Sequence, residues 1–300
     1  MSKTSAWIDA FRLRTLPLSI SGVVMGTFLS LSRGRFTWSI FLLAILTTLL
    51  LQILSNLAND YGDSVNGKDT PDRIGPQRMV QSGSISLTEM KIMIGLFSLM
   101  SLVSGVLLLS VSNIVLFSIS FFVLLALGIL AIWAALTYTI GKNPYGYSGW
   151  GDLSVFLFFG LFSVAGTCML FSGDILPEIF LPAISVGAFS VGVLNLNNMR
   201  DYATDKANNK ITLVVKLGVR PAKYYHFALL SLSILCALVY LWINLAGLYS
   251  YIFLLVLVPL ALHIKRILAI EQAVLFDKEL KKLALIALLF SVLFGLGINI

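Results

Sequence analysis

Apolar runs close to 20 residues long recur throughout this chain, separated by polar breaks of very unequal length. Nine are long enough to cross a hydrocarbon core of about 30 Å: 16–31, 40–58, 92–111, 114–138, 153–171, 176–196, 227–246, 249–264 and 283–300. The pattern predicts an all-α, polytopic membrane protein of nine transmembrane helices, one domain over 1–300. The breaks at 112–113 and 247–248 are tight turns, so the spans they join are antiparallel neighbours. The breaks at 59–88, 141–152 and 198–225 are long and polar, and long polar loops are where function concentrates. All three lie on one side of the membrane.

Composition agrees with that reading. The chain of 300 residues is 58% hydrophobic and 12% charged, too few charges for a water-exposed surface. Of the 21 Lys and Arg residues, only Arg33 and Arg35 lie opposite the long loops. Under the positive-inside rule the N-terminus and the long loops are cytoplasmic, in the cytoplasmic (inner) membrane of a cell. Nucleic-acid binding is excluded as an account of the +7 net charge, because no soluble basic domain exists to present a patch. Segment 1–15 carries Lys3, Asp9, Arg12 and Arg14 and no apolar core. It reads as an interfacial helix rather than a cleavable signal. Cys168 and Cys236 fall in apolar runs and read as small buried hydrophobes.

The polar residues repeat. Asn56, Asp60 and Tyr61 recur 141 positions later as Asn197, Asp201 and Tyr202, each set at the end of an apolar run. The offset is four spans, an even number, so the repeat is parallel. The simplest architecture is two four-helix units around a central cavity, with the ninth helix appended. In the first copy Asn56, Asn59, Asp60 and Asp63 share one helix face; in the second, Asn197, Asp201 and Asp205 do. Ionisable groups at a membrane boundary read as functional. Carboxylates and amides without sulfur or imidazole suit Mg²⁺ bridging a diphosphate. Zinc and iron are excluded, since His226 and His263 are isolated and no Cys is near. Lys68, Arg73, Arg78, Lys142, Arg200, Lys206 and Lys210 surround the acids and would meet phosphate oxygens. Tyr138 and Lys142, four residues apart, belong at the mouth of the fourth span. The apolar faces fit lipid contact and an isoprenoid groove equally well.

These motifs resemble the UbiA superfamily of intramembrane prenyltransferases. The resemblance rests on NxxNDxxD after the second span, on YxxxK after the fourth, and on RDxxxD followed by Lys210-Ile211-Thr212-Leu213 after the sixth. It extends over essentially the whole chain. FRLRTLPLS, NDYGDSVNGKD, GPQRMVQSG and PYGYSGWGD look most like the branch that prenylates 1,4-dihydroxy-2-naphthoate. Two positions depart from the wider pattern. Gly67 stands where many members carry Asp, which makes Asp69 the next candidate ligand. Asn209 stands where glycine is common; Asn tolerates left-handed backbone.

The resemblance implies Mg²⁺ as cofactor, held by Asp60, Asp63, Asp201 and Asp205, with Asn56, Asn59, Asp69 and Asn197 as further ligands. It implies polyprenyl diphosphate bound by Lys68, Arg78, Arg200 and Lys210, with Tyr138 and Lys142 on the aromatic or the diphosphate side. The implied partners are polyprenyl diphosphate, 1,4-dihydroxy-2-naphthoate and the lipid bilayer; the implied product is demethylmenaquinol. The alternatives are a sister enzyme acting on 4-hydroxybenzoate, homogentisate, haem or a chlorin and, from another class, a transporter. A transporter needs polar groups through its full depth, whereas these carboxylates gather at one face.

Overall fold

The computed structural model describes residues 2–69 and 74–300, so Arg73 lies outside the described residues. Among the described residues the chain is helical, without strands, and nine helical segments are long and apolar enough to cross a membrane. A short helix α1 (Lys3–Phe11) precedes them. The spans proper are α2 (Leu16–Leu31), α3 (Trp38–Val65), α4 (Leu87–Val111), α5 (Ile119–Thr137), α6 (Gly151–Ser172), α7 (Pro177–Arg200), α8 (Val219–Ile243), α9 (Leu248–Ala269) and α10 (Ala273–Gly297).

Helix ends follow local chemistry. Arg12, at φ 51°, breaks the chain between α1 and α2. Pro17 sits in the first turn of α2, where its missing N–H costs nothing. α1 is packed rather than merely interfacial: Ala6 and Ala10 are buried with Leu50, Leu54, Leu57 and Phe97 from α3 and α4. The fourth span starts at Ile119, five residues later than the pattern of apolar residues suggests. Ser118 caps it by accepting from the Phe121 amide at 3.2 Å, and Asn113 is pinned to the end of α6 through Leu170 O at 3.0 Å. The turn between α4 and α5 is therefore longer than two residues. α3, in contrast, runs past Ala58 to Val65, carrying its polar residues on continuous helix.

The closest pairings are α3 with α4 and α7 with α8, the same step in each half, as a parallel repeat requires. The last helix is not an appendage. α10 packs along α2 and α7 and closes the bundle, with Phe290 and Phe294 fully buried against Phe253 of α9 and Phe189 of α7. Without a hydrophobic force between helices inside lipid, such packing rests on close fit. Gly160 and Gly187 show it: a Cβ on Gly160 would lie 2.5 Å from the Gly187 Cα, so α6 and α7 cross backbone to backbone. The crossing falls on a π-helical stretch of α6, Phe156–Phe162, a distortion common near functional sites.

α5 stands apart, packing mainly on α3 and α4, with only 6% of its apolar window buried. Between α5 and α6 lies the central cavity. His226 and His263 also differ from expectation. Their Nε2 atoms are 2.9 Å apart, and His263 Nδ1 meets Glu279 Oε2 at 2.8 Å. Helices α8, α9 and α10 bring together three residues that sequence spacing leaves far apart.

Candidate active site

Both acidic motifs end in the same backbone turn. Gly67 (φ 65°) and Asn209 (φ 52°) each take left-handed geometry. The next amide then reaches back over the turn, Lys68 N to Asp63 O and Lys210 N to Asp205 O, both at 2.8 Å. This is the helix-terminating arrangement that Gly and Asn permit. It makes Asp63 and Asp205 structural counterparts, as are Lys68 and Lys210. These pairs stand 142 residues apart, one more than the sequence match suggests. The register slips because α3 is unbroken, while α7 stops at Arg200 and restarts at Tyr202.

The slip explains where Asp60 goes. A three-residue step on a helix turns the side chain by about 60° from its starting direction. Asn59 and Asp63 line the cavity, and Asp60 does not. Asp60 is buried and accepts from the backbone amides of Met79 and Val80 at 3.0 and 3.2 Å. It anchors the GPQRMVQSG loop and does not line the acidic pocket, contrary to its assignment as a metal ligand. Asn56 lines the central cavity but gives its amide to Phe11 O at 2.9 Å and Thr15 Oγ1 at 3.2 Å, fastening the N-terminal segment. Asn59 also lines the cavity, accepting from Thr139 Oγ1 at 3.2 Å.

Four other carboxylates converge. Asp63, Asp69, Asp201 and Asp205 line one small polar pocket of about 10 Å³ with Lys68 and Lys210. That volume is near the lower limit for a single water-sized occupant. Asp69 lines this pocket and Asp60 does not. Among the described residues no three acidic, His or Cys groups form a closed metal cage. Each carboxylate here is drawn to a donor. Arg78 pairs with Asp63 and meets Asp69 at 3.4 Å, Tyr147 Oη donates to Asp63 Oδ1 at 2.5 Å, and Lys210 lies 3.4 Å from Asp205. Oδ2 of Asp205 is buried without a hydrogen-bond partner. Burial pushes the Asp205 carboxyl up to about 6, against the pull of Lys210. An orphaned carboxylate oxygen in a pocket shared by four carboxylates fits a hard cation, which takes few carboxylates and fills its shell with water and phosphate.

The basic residues separate into three groups. Lys68 and Lys210 each hold Nζ 5.7 Å from the centre of the Tyr147 ring, a pair of cation–π contacts that places both over the pocket. Arg78 is 5% exposed, lines the cavity, and leaves Nη1 without a hydrogen-bond partner. Arg200 is different. It is 1% exposed, forks onto both oxygens of Asp201 at 2.8 and 2.7 Å, and meets Asn197 Oδ1 at 2.8 Å and Asp277 Oδ1 at 2.6 Å. So Arg200 orients Asp201 rather than presenting itself to a diphosphate, and Asn197 is turned to Arg200. Lys142 is exposed and lines neither the acidic pocket nor the central cavity. α5 has already ended, and Gly141 at φ 119° turns the chain outward. Tyr138 does line the cavity, its phenol pushed up by burial first and by the field of Tyr145 and Asp152.

The acidic pocket adjoins a cavity of about 430 Å³ between α3, α4, α5, α6 and α7. Its upper rim is polar, with Asn59, Arg78, Asn198 and Lys210; its depth is mostly apolar, reaching Ala44, Leu108 and Leu170, with Thr47, Ser101 and Thr167 among them. Tyr147, Asp277 and Asn198 were missing from the sequence-derived set. Only Tyr147 left a signal, inside the PYGYSGWGD loop.

The model of the UbiA prenyltransferase family matches residues 19–277. This chain belongs to the UbiA prenyltransferase family. It is 42% identical over 298 residues to a protein of Escherichia coli K12 named 1,4-dihydroxy-2-naphthoate octaprenyltransferase, covering 99% of this chain and 96% of that one. A Haemophilus influenzae protein of the same name is 40% identical over 300 residues, covering 99% and 97%. Among solved structures, a UbiA homologue from Archaeoglobus fulgidus bound to GPP and Mg²⁺ superposes with a TM-score of 0.60 at 15% identity, over 96% of this chain and 98% of the other. UbiA membership accounts for the fold, a polytopic helical bundle whose two acidic motifs face each other at one end.

Proposed function

We propose that this protein transfers an all-trans polyprenyl group from polyprenyl diphosphate to 1,4-dihydroxy-2-naphthoate, forming demethylmenaquinol for menaquinone synthesis. The observation that carries the reading is the junction of a four-carboxylate, two-lysine pocket with a deep apolar cavity. One end suits a diphosphate, the other its isoprenoid tail. The names of the two relatives at 42% and 40% identity support 1,4-dihydroxy-2-naphthoate as the acceptor.

Mg²⁺ is the cofactor in this reading, held by Asp63, Asp69, Asp201 and Asp205. When bound, it neutralises the diphosphate and makes it a better leaving group. Arg78 Nη1, Lys68 and Lys210 donate to phosphate oxygens as negative charge builds on them. The allylic C–O bond breaks, diphosphate leaves with the electron pair, and the ring carbon bearing the carboxylate attacks the allylic carbon. Loss of CO2 returns its bonding pair to the ring and restores aromaticity. The apolar wall keeps water from quenching the cation, with Tyr138 at the rim. Arg200, held by Asp277, fixes Asp201 and takes no part in the bond changes.

In this reading the protein resides in the cytoplasmic membrane with the N-terminus and the acidic loops cytoplasmic, as the placement of Lys and Arg supports. A reporter after Ile300 then lies outside and one within 208–212 inside; reporters on the same side sink the orientation. For the activity, membranes are incubated with Mg²⁺, a polyprenyl diphosphate and a panel of aromatic acids, followed by mass analysis. Prenylated, decarboxylated naphthoate is the expected product. Turnover of another acceptor in its place overturns the assignment.

A further inference from the structure

Three glycines line the deep part of the cavity, one from each of three helices: Gly105 on α4, Gly128 on α5 and Gly166 on α6. Glycine in a membrane helix is usually explained by close helix contact, as at Gly160. These three are not in contact. A Cβ built on Gly128 or Gly166 meets nothing within 4 Å, and one on Gly105 meets only the Thr47 methyl at 3.9 Å. Each lines the cavity and weakens its helix relative to alanine without a packing gain. Gly95 on α4 is the internal control: it too has open surroundings, but it does not line the cavity.

At a rise of about 1.5 Å per residue, Gly166 lies about 22 Å along α6 from the motif-bearing end, and Gly128 about 14 Å along α5. They flank the gap between α5 and α6, below the acidic pocket. A second observation lies on the same wall. Ser101, one turn before Gly105 and so on the same face, is 2% exposed and lines the cavity, and its hydroxyl has no hydrogen-bond partner. A trisubstituted alkene offers that hydroxyl a weak π acceptor, which a saturated acyl chain does not.

We infer that Gly105, Gly128 and Gly166 are specificity-determining residues that admit a long prenyl tail, and that filling them shortens the donor the protein accepts. This rests on the prenyl-transfer reading above. The tail leaves the diphosphate at the acidic pocket, runs down the groove and passes the three glycines, so only donors long enough to reach them sense a side chain there.

The test uses Gly128→Leu and Gly166→Leu, with Gly95→Leu as control, in the full-length protein in membranes. Leucine is a better helix former than glycine, so the variants keep their helices. The ratio of kcat/KM for octaprenyl diphosphate to that for geranyl diphosphate is expected to fall about tenfold or more in the first two variants, the scale at which a pocket discriminates small changes in apolar bulk. It is expected to stay unchanged in Gly95→Leu. Thermal stabilisation by non-cleavable geranyl and octaprenyl thiolodiphosphates, with Mg²⁺ and no acceptor, should show the same split. If wild type fails to prenylate the naphthoate yet keeps that split, the acceptor assignment fails and the inference stands. An unchanged ratio and unchanged stabilisation in both cavity variants overturn it, leaving the groove to bilayer lipid.

Discussion

The two acidic motifs finish in one backbone turn but obtain their rigidity from opposite directions. In the first, α3 is continuous through Asp63, and the stabilising arginine, Arg78, arrives from a loop 15 residues later. In the second, the helix breaks at Asp201, and the arginine is Arg200, the preceding residue. Arg78 lines the cavity and leaves Nη1 buried without a hydrogen-bond partner, whereas Arg200 directs its fork onto Asp201 and its remaining amine onto Asp277. A duplicated motif has thus divided its labour. One copy leaves an arginine nitrogen without a partner; the other holds its carboxylate at fixed angle.

The sharpest way to break this comparison is to remove the acids. Asp63→Ala and Asp205→Ala are expected to cut Mg²⁺-dependent turnover by about 10²–10³-fold or more, since each lines the shared pocket. Asp60→Ala belongs to another class. It leaves the amides of Met79 and Val80 unsatisfied, costing about 1–3 kcal/mol, so it should lower the melting temperature while the surviving enzyme turns over within several-fold of wild type. Turnover and thermal unfolding on the purified variants decide. Loss of turnover by Asp60→Ala at unchanged melting temperature would falsify the division.

Next in size are the arginines. Arg78→Ala should raise the KM for prenyl diphosphate, with a loss of about 10²-fold in kcat/KM, the cost of truncating one partner of a buried charge pair. Arg200→Ala should instead raise the Mg²⁺ concentration needed for half-maximal stabilisation of the protein against heat. Asp277→Ala should reproduce that effect in weaker form, because Arg200 then loses its second anchor. A silent Asp277→Ala beside an Arg200→Ala that moves only the diphosphate KM makes Arg200 a ligand after all.

The asymmetry also shows what the sequence could convey. Nine spans were legible because membrane crossing imposes length and apolarity on each helix separately. The acidic end was legible because charges at a membrane boundary are rare. The choice among acids was not. Asp60 and Asp63 differ by a rotation on one helix, and only the loop at Met79 shows which one faces inward. Asp277 and Tyr147 act on the motifs from 76 and 84 residues away in sequence, counted from Asp201 and Asp63 respectively, so spacing holds no trace of them. The pairing of His226 with His263 is hidden for the same reason. Lys142 erred in the other direction: its spacing from Tyr138 is helical, but the helix has ended.

The lysines give the third contrast. Lys68 and Lys210 occupy matching turns and flank one ring, so Lys68→Ala and Lys210→Ala should be alike, each lowering kcat/KM about tenfold, the worth of one charge-assisted hydrogen bond. Lys210→Ala should be the larger of the two, because Lys210 also offsets the burial of Asp205. Kinetics with prenyl diphosphate varied at fixed acceptor measure both; a large loss confined to one breaks the symmetry.

The smallest expected effect is the most pointed, because motif spacing nominates the residue and the structure does not. Lys142 has the right charge and follows Tyr138 by four positions. It is exposed beyond Gly141, however, and lines neither the acidic pocket nor the central cavity. An exposed charge contributes little in water, and salt screens what remains. Lys142→Ala should therefore keep the KM of the naphthoate and of the prenyl diphosphate within about twofold of wild type, the range expected of surface substitutions. Tyr138→Phe, in the cavity wall, serves as the matched comparison and should lower kcat/KM further. Should Lys142→Ala raise the naphthoate KM by tenfold while Tyr138→Phe is silent, the 141–152 loop must fold over the cavity when substrate binds.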